Sequence, residues 1–206
     1  MKNLALEIPS TKIDSLGTDA FNCRLCPRML GKRKVLSLQN GNPNSRILFI
    51  AEAPGRHGSE LSGIPLQGDK SGENFEKLIE NIGWTRNQIF VTNSVLCNPV
   101  NESGNNSRPL LHEMKNCSSF LKETLDIVSP EFVVTLGTIA LKSLAFIRSH
   151  KFVLLENVGK MLDWNGMKLI PLYHPSPRVT ASKRSFKQMQ QDFNILARNV
   201  GNPLKI

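Results

Sequence analysis

The sequence predicts an α/β protein built on a mostly parallel central sheet of four strands. Three observations carry this. Apolar runs at 46–51, 89–95, 132–137 and 167–172 alternate with stretches of helical periodicity, so the order is strand then helix, four times over. The first run, 46–51, is unbroken in its apolar character rather than alternating, as suits a parallel strand covered on both faces. Right-handed crossovers then bring the C-terminal strand ends to one edge, where open α/β sheets bind ligands. Glu52, Asn93, Gly137 and His174 stand at or just after those ends.

A chain of 206 residues is long enough for a real core and is expected to form one compact domain, 1–206. No apolar run approaches the ~18 residues of a membrane span. Met1-Lys2-Asn3-Leu4 opens without a signal peptide, so a cytoplasmic location is expected. The formal net charge of +9 favours a polyanionic partner, nucleic acid first, over a generally basic surface. The charge gathers at Arg24 to Lys34 and again at Arg178 to Lys187.

In chain order, Met1 to Ala20 is a mixed lead-in or short helix. Asn40 to Ser45 reads as a turn before the first strand. Arg56 to Lys70 is a polar, Gly-rich functional loop. Ser71 to Ile82 is a helix with Phe75, Leu78, Ile79 and Ile82 on one face and Ser71 as its cap. The second strand, Ile89 to Val95, is followed by a loop over Asn98 to Pro109 and a helix over Leu110 to Ser129 that Pro130 stops. A third strand, Phe132 to Gly137, leads to a helix over Thr138 to Phe146. Phe152 to Leu155 is read as a short edge strand. Asn165-Gly166 is a hairpin signal leading into the fourth strand, Met167 to Leu172. The last helix, Thr180 to Asn199, starts with the basic residues Lys183, Arg184 and Lys187.

The four cysteines are Cys23, Cys26, Cys97 and Cys117, separated by two, seventy and nineteen residues. Outside an oxidising compartment such a set points to metal rather than disulfides. The expectation is a four-thiolate structural site that ties residues 1–34 to the loop after the second strand. A redox pair with two buried thiols is the alternative, and spacing leaves zinc and iron–sulfur both open.

The run Ile47 to Ala51 ends in the turn Glu52-Ala53-Pro54-Gly55, which holds one carboxylate among small residues. A second turn of similar character, His174-Pro175-Ser176-Pro177, follows the fourth strand. A carboxylate at a strand end can orient water or stabilise a cation. Asn93 and His174 at neighbouring ends suit hydrogen bonding to a planar polar ring.

These pieces, taken in order, resemble the uracil-DNA glycosylase superfamily and are most similar to its iron–sulfur branch, family 4. The matching residues are Glu52-Ala53-Pro54-Gly55, Gly63-Ile64-Pro65 with Gly68 and Gly72, and Thr92-Asn93 with Cys97. Asn106 with Arg108-Pro109 and Cys117, Leu136-Gly137, and His174-Pro175-Ser176-Pro177 complete the pattern, together with Cys23 and Cys26. The resemblance implies a single three-layer domain with a four-stranded parallel sheet between helices. It also implies a 4Fe-4S cluster of structural role on Cys23, Cys26, Cys97 and Cys117, which it favours over zinc.

By position, Glu52 resembles the acid that positions the hydrolytic water, Asn93 the residue that reads the uracil edge, and His174 the donor to uracil O2. Backbone amides near Ala51 and Ala53 add to base binding. Pro54, Gly55, Pro175, Ser176 and Pro177 would grip backbone phosphates beside a flipped nucleotide. Arg178, Lys183 and Arg184 would supply salt-dependent attraction. Two departures stand out. Leu66 and Gln67 follow Pro65 where relatives usually have a stacking Phe, and Asn98-Pro99 with a longer loop follows Cys97 where relatives have Arg-Pro-Pro. The leading expectation is a monomeric, monofunctional DNA glycosylase that releases uracil, or another deaminated base, from single-stranded or mismatched DNA. It is not expected to cleave the strand, because no lysine is placed as a Schiff-base nucleophile. The competing expectations are a catalytically weak nucleic-acid-binding protein on the same fold and a hydrolase of another N-glycoside.

Overall fold

The computed structural model describes residues 8–204; residues 1–7 and 205–206 of the expected single domain, with the Met1–Leu4 opening, lie outside the described residues. The strands are β1 (Ile47–Ala51), β2 (Phe90–Asn93), β3 (Phe132–Leu136), β4 (Leu162–Trp164) and β5 (Met167–Leu172). The helices are α1 (Pro9–Asn22), α2 (Ser59–Ser62), α3 (Lys70–Asn81), α4 (Leu111–Val128), α5 (Thr138–Ser143), α6 (Leu154–Asn157), α7 (Pro177–Ser182) and α8 (Phe186–Val200).

The sheet order is β2-β1-β3-β5-β4. β1 pairs in parallel with β2 and β3, and β3 with β5, while β4 runs antiparallel to β5. All five residues of β1 and of β3 are buried, which is the physical basis of their unbroken apolar character. Alternation along β1 sends Ile47, Phe49 and Ala51 to one face, with Phe75, Leu78 and Ile79 of α3 and Met189, Phe193 and Leu196 of α8. Leu48 and Ile50 face the other way, onto Ile13 of α1, Leu121 and Leu125 of α4, and Leu141 of α5. Phe49 lies edge-on to Phe75 at 5.3 Å and stacks on Phe193 at 6.1 Å between ring centres. Each such ring, fully buried, contributes on the order of 1.5–3 kcal/mol. This packing fixes the C-terminal edge of β1, from which Glu52 emerges.

The expected four-stranded, mostly parallel sheet is corrected to a five-stranded mixed one. The additional strand is β4, three residues long and only partly apolar, too short to produce a periodic signal. Its evidence in the sequence is the Asn165-Gly166 hairpin, since a two-residue turn requires a strand on each side. Asn165 and Gly166 both take positive φ, at 49° and 77°, and Trp164 pairs with Met167 across them. Residues 152–155, read as an edge strand, instead run into the helical turn α6. The Met1–Ala20 lead-in is, over its described part, the 14-residue helix α1. The single helix expected over Thr180–Asn199 is two, α7 and α8, broken where Ser185 caps α8 by accepting from Gln188 N. The cap of α3 is Asp69, accepting from Gly72 N, rather than Ser71.

Candidate active site

Four parallel strands deliver their C-terminal ends to one edge. Ala51 and Asn93 are register partners, so Glu52 leaves β1 beside Asn93. Beyond β3, the Gly137 amide donates to Leu172 O at 2.8 Å, which sets His174 against the end of β3. A Cβ placed on Gly137 would stand 3.4 Å from His174 Cβ, and its φ of 97° disfavours any side chain. β1 and β5 flank β3, so Glu52 and His174 rise from strands about 10 Å apart, two interstrand spacings. The strand between them ends in a residue without a side chain. The result is a floor edged by a carboxylate, a carboxamide and an imidazole.

The backbone of the Glu52 turn is held firmly. Glu52 O accepts from Ser94 Oγ at 2.6 Å and from Val95 N at 3.2 Å. Pro54 O accepts from the buried Asn98 Nδ2 at 2.6 Å, and the same nitrogen donates to Asn106 Oδ1 at 3.0 Å. Asn106 Oδ1 also accepts from Arg56 N, and Arg56 Nη1 donates to Gly104 O at 2.9 Å. The Asn-rich loop after Cys97 is thus docked onto the acidic turn. Arg28 holds that loop from behind, donating to Val100 O and Arg108 O while paired with the buried Glu113. Burial raises the Glu52 carboxyl above the ordinary carboxylate value, and the charge of Arg108 opposes part of the rise.

His174 is only partly accessible to solvent. Burial lowers its imidazole to about 4, against a smaller raising effect of Asp69, so the ring is neutral at neutral pH. Asn93 is 2% exposed and its Nδ2 has no hydrogen-bond partner within the described protein.

Two residues at the site escaped the sequence reading. Asp69 caps α3, and its carboxylate lies against the Glu52 turn; a Cβ on Gly55 would be 2.8 Å from Asp69 Oδ2. Asn74 is buried in α3 and donates to Pro175 O at 2.8 Å, anchoring the histidine turn. A mid-helix Asn has low helix propensity and was the available signal, because such a residue usually has a partner elsewhere.

The residues expected to meet phosphates are spread along this edge and around α7. Arg178 and Lys183 are exposed. Arg184 is committed to the buried Asp192, with Nη2 to Oδ1 at 2.6 Å and Nε to Oδ2 at 3.0 Å, and so braces the bend between α7 and α8. Pro175 is buried and Ser176 half-buried, while Pro177 starts α7. Leu66 is buried in the same cluster as Ala51 and Phe75. It takes φ 51°, a left-handed value that is uncommon outside glycine.

The four cysteines lie together beside the Glu52 turn, whose Ala53 packs in the same cluster. Cys23, Cys26, Cys97 and Cys117 line one small cavity with Met29 and Val95, and all four are free thiols. The expected 4Fe-4S cluster, and zinc as its alternative, is corrected: among the described residues no group of three or more His, Cys, Asp or Glu could hold a metal ion. Burial pushes Cys97 up to about 11 and Cys117 up to about 12, leaving both neutral, and Cys117 Sγ accepts from Leu96 N at 3.3 Å. Cys26, Cys97 and Cys117 pack with Met29, Val95 and Met114, joining the segment after α1 to the loop after β2.

No helix among the described residues is long and apolar enough to cross a membrane. A family model described as the uracil DNA glycosylase superfamily matches residues 38–197, from ahead of β1 through most of α8. The chain is 32% identical over 155 residues to a type-4 uracil-DNA glycosylase of Thermotoga maritima, covering 75% of this chain and 76% of that protein. It is 30% identical to a type-4 uracil-DNA glycosylase of Saccharolobus solfataricus, covering 80% of this chain and 76% of the relative. A type-5 uracil-DNA glycosylase of Pyrobaculum aerophilum is 27% identical, covering 76% of this chain and 79% of the relative. The chain therefore belongs to the uracil DNA glycosylase superfamily and is a glycosylase-like hydrolase.

Proposed function

We propose that this protein is a monofunctional DNA glycosylase of the type-4-like branch, acting as a monomer. It hydrolyses the N-glycosidic bond of uracil, or of another deaminated base, in DNA and leaves an abasic site. The observation that carries the reading is the buried, unpartnered Asn93 Nδ2 at the end of β2, next to the β1 end that bears Glu52 and on the same sheet edge as His174. A buried amide donor without a partner forfeits on the order of 1–3 kcal/mol, which a base carbonyl entering the site would recover. The similarity to type-4 and type-5 relatives supports the same reading.

The chemistry follows from the side chains. The nucleotide leaves the stack and its base enters above the Gly137 end of β3. Asn93 donates to the base edge. His174, neutral because burial holds its imidazole at about 4, donates to the carbonyl oxygen where negative charge develops as the base departs. A neutral donor stabilises that charge without losing its proton to the base. Glu52, ionised, orients a water toward the anomeric carbon and favours the oxocarbenium-like sugar. Water then supplies hydroxide to the sugar and a proton to the departing base. The turns Pro54-Gly55 and Pro175-Ser176-Pro177 grip the flanking phosphates, with Arg178 and Lys183 adding salt-dependent attraction and Arg184 holding the bend that presents them.

The test is base release from oligonucleotides carrying uracil, hypoxanthine, xanthine or a thymine mispair, in single and double strands. Release of a free deaminated base with an alkali-labile abasic site supports the reading. DNA binding with no release from any substrate favours a binding protein on this fold.

A further inference from the structure

We propose that Arg86 is a positioning residue that sets base selectivity by fixing the backbone of Leu66. The proposal rests on the glycosylase reading, with Leu66 lining the base pocket where relatives usually have a stacking Phe. Arg86 opens the short 3-10 turn Arg86–Gln88 just ahead of β2. Its Nη1 donates to Pro65 O at 2.7 Å and its Nη2 to Leu66 O at 2.6 Å, so one guanidinium holds two successive carbonyls. Nε is paired with Glu76 Oε1 at 2.5 Å, and the guanidinium lies over the Phe75 ring, 5.1 Å from its centre. Both partners are on α3, so the fork is aimed from a rigid element.

Successive carbonyls in extended chain point to opposite sides. For both to meet one guanidinium, the residue between them must leave the extended region, and Leu66 does so with φ 51°. An L-residue resists this conformation because its Cβ crowds the backbone, so the surroundings must impose it. They do so through two contacts. Arg86 grips both carbonyls. The helix α3 also approaches so closely that a Cβ on Gly72 would stand 2.6 Å from Leu66 O. The Leu66 side chain is thereby turned inward, 6% exposed, into the cluster that contains Ala51, the register partner of Asn93. Nothing about Arg86 touches the reacting atoms. Its effect on the substrate passes through the height and shape of the floor that Leu66 forms. Lysine keeps the charge but cannot span two carbonyls and a carboxylate at once.

The experiment compares wild type, Arg86→Lys, Arg86→Ala and Gly72→Ala on duplexes carrying uracil, hypoxanthine or thymine opposite guanine. Each protein is also titrated with duplexes holding 2′-fluoro-deoxyuridine or 2′-fluoro-thymidine, where no bond breaks. The expected result for Arg86→Lys is a KM for its best base raised about tenfold, the size of one charge-assisted contact, with kcat little changed and discrimination between bases reduced. Gly72→Ala, pressing on the same carbonyl, shifts discrimination as well. A lowered melting temperature in every variant, with KM and the ratios between bases unchanged, overturns the proposal and leaves Arg86 a structural brace. Wild type inactive on all bases refutes the glycosylase reading. In that case the titrations decide: wild-type preference for the 2′-fluoro-deoxyuridine duplex that Arg86→Lys loses upholds the clamp, and no such preference overturns it.

Discussion

Asn74, inside α3, donates its carboxamide N–H to the carbonyl oxygen of Pro175 at 2.8 Å, so the helix capped by Asp69 also holds the turn that carries His174. Asn74→Ala leaves that carbonyl without its protein donor and is expected to cost about 1–3 kcal/mol, read from the denaturant midpoint. Asn74→Asp, which supplies no donor when ionised, is expected to behave similarly. In both variants kcat falls more than KM rises, because the imidazole meets developing charge rather than the resting base. A loss of stability with kcat unchanged at low temperature contradicts the coupling of Asn74 to His174.

The Glu52 carboxyl acts in its ionised form, and burial raises it above the ordinary value against the pull of Arg108. The acid limb of kcat/KM is therefore expected above the ordinary carboxylate range. Removing the positive charge with Arg108→Gln weakens the opposing effect, so the limb moves further up in pH. A limb that stays put in Arg108→Gln, followed over a pH series at constant ionic strength, contradicts the link between the loop after Cys97 and the candidate acid.

His174 gives a stability signature of its own. Its imidazole is depressed to about 4 from the ordinary 6.5, so between those values the unfolded chain binds a proton that the folded chain refuses. Stability is expected to fall as pH drops from about 6.5 to about 4, and His174→Gln removes that part of the slope. Urea titrations of the two proteins across the window check the sign. An imidazole that titrates near 6.5 by NMR contradicts the assignment of a neutral donor.

Glu113 is 1% exposed and paired with Arg28, which also holds Val100 O and Arg108 O. Arg28→Ala strands a buried carboxylate and is expected to cost about 3 kcal/mol. The same variant frees the Asn-rich loop, so hydrogen exchange at residues 98–109 rises more than in the sheet. Uniform exchange across the molecule contradicts the bracing role.

Much of the fold was legible because parallel, doubly covered strands leave long apolar runs, and β1 and β3, buried throughout, announce themselves this way. β4 was not, because three residues with Asp163 at their centre carry no period, although the adjacent Asn-Gly turn implied a strand before it. The pause between α7 and α8 was hidden for a different reason: Phe186, Met189 and Phe193 keep helical spacing, and only the Ser185 cap interrupts it. At the site, Glu52, Asn93 and His174 were legible from their places at strand ends. Asp69 and Asn74 were not, since their importance lies in what they touch across the fold. The cysteines show the converse limit: spacing predicted convergence on one cavity and a metal cluster within it, and the structure has the first without a set of residues able to hold the second.

The most direct test is a time course of base release from a uracil-containing oligonucleotide by wild type and by Glu52→Gln. Wild type is expected to liberate uracil and leave an abasic site, and Glu52→Gln to do so at least about 100-fold more slowly while binding the DNA equally well. Wild type that binds the oligonucleotide yet releases no base, or Glu52→Gln that releases it at the wild-type rate, contradicts the account.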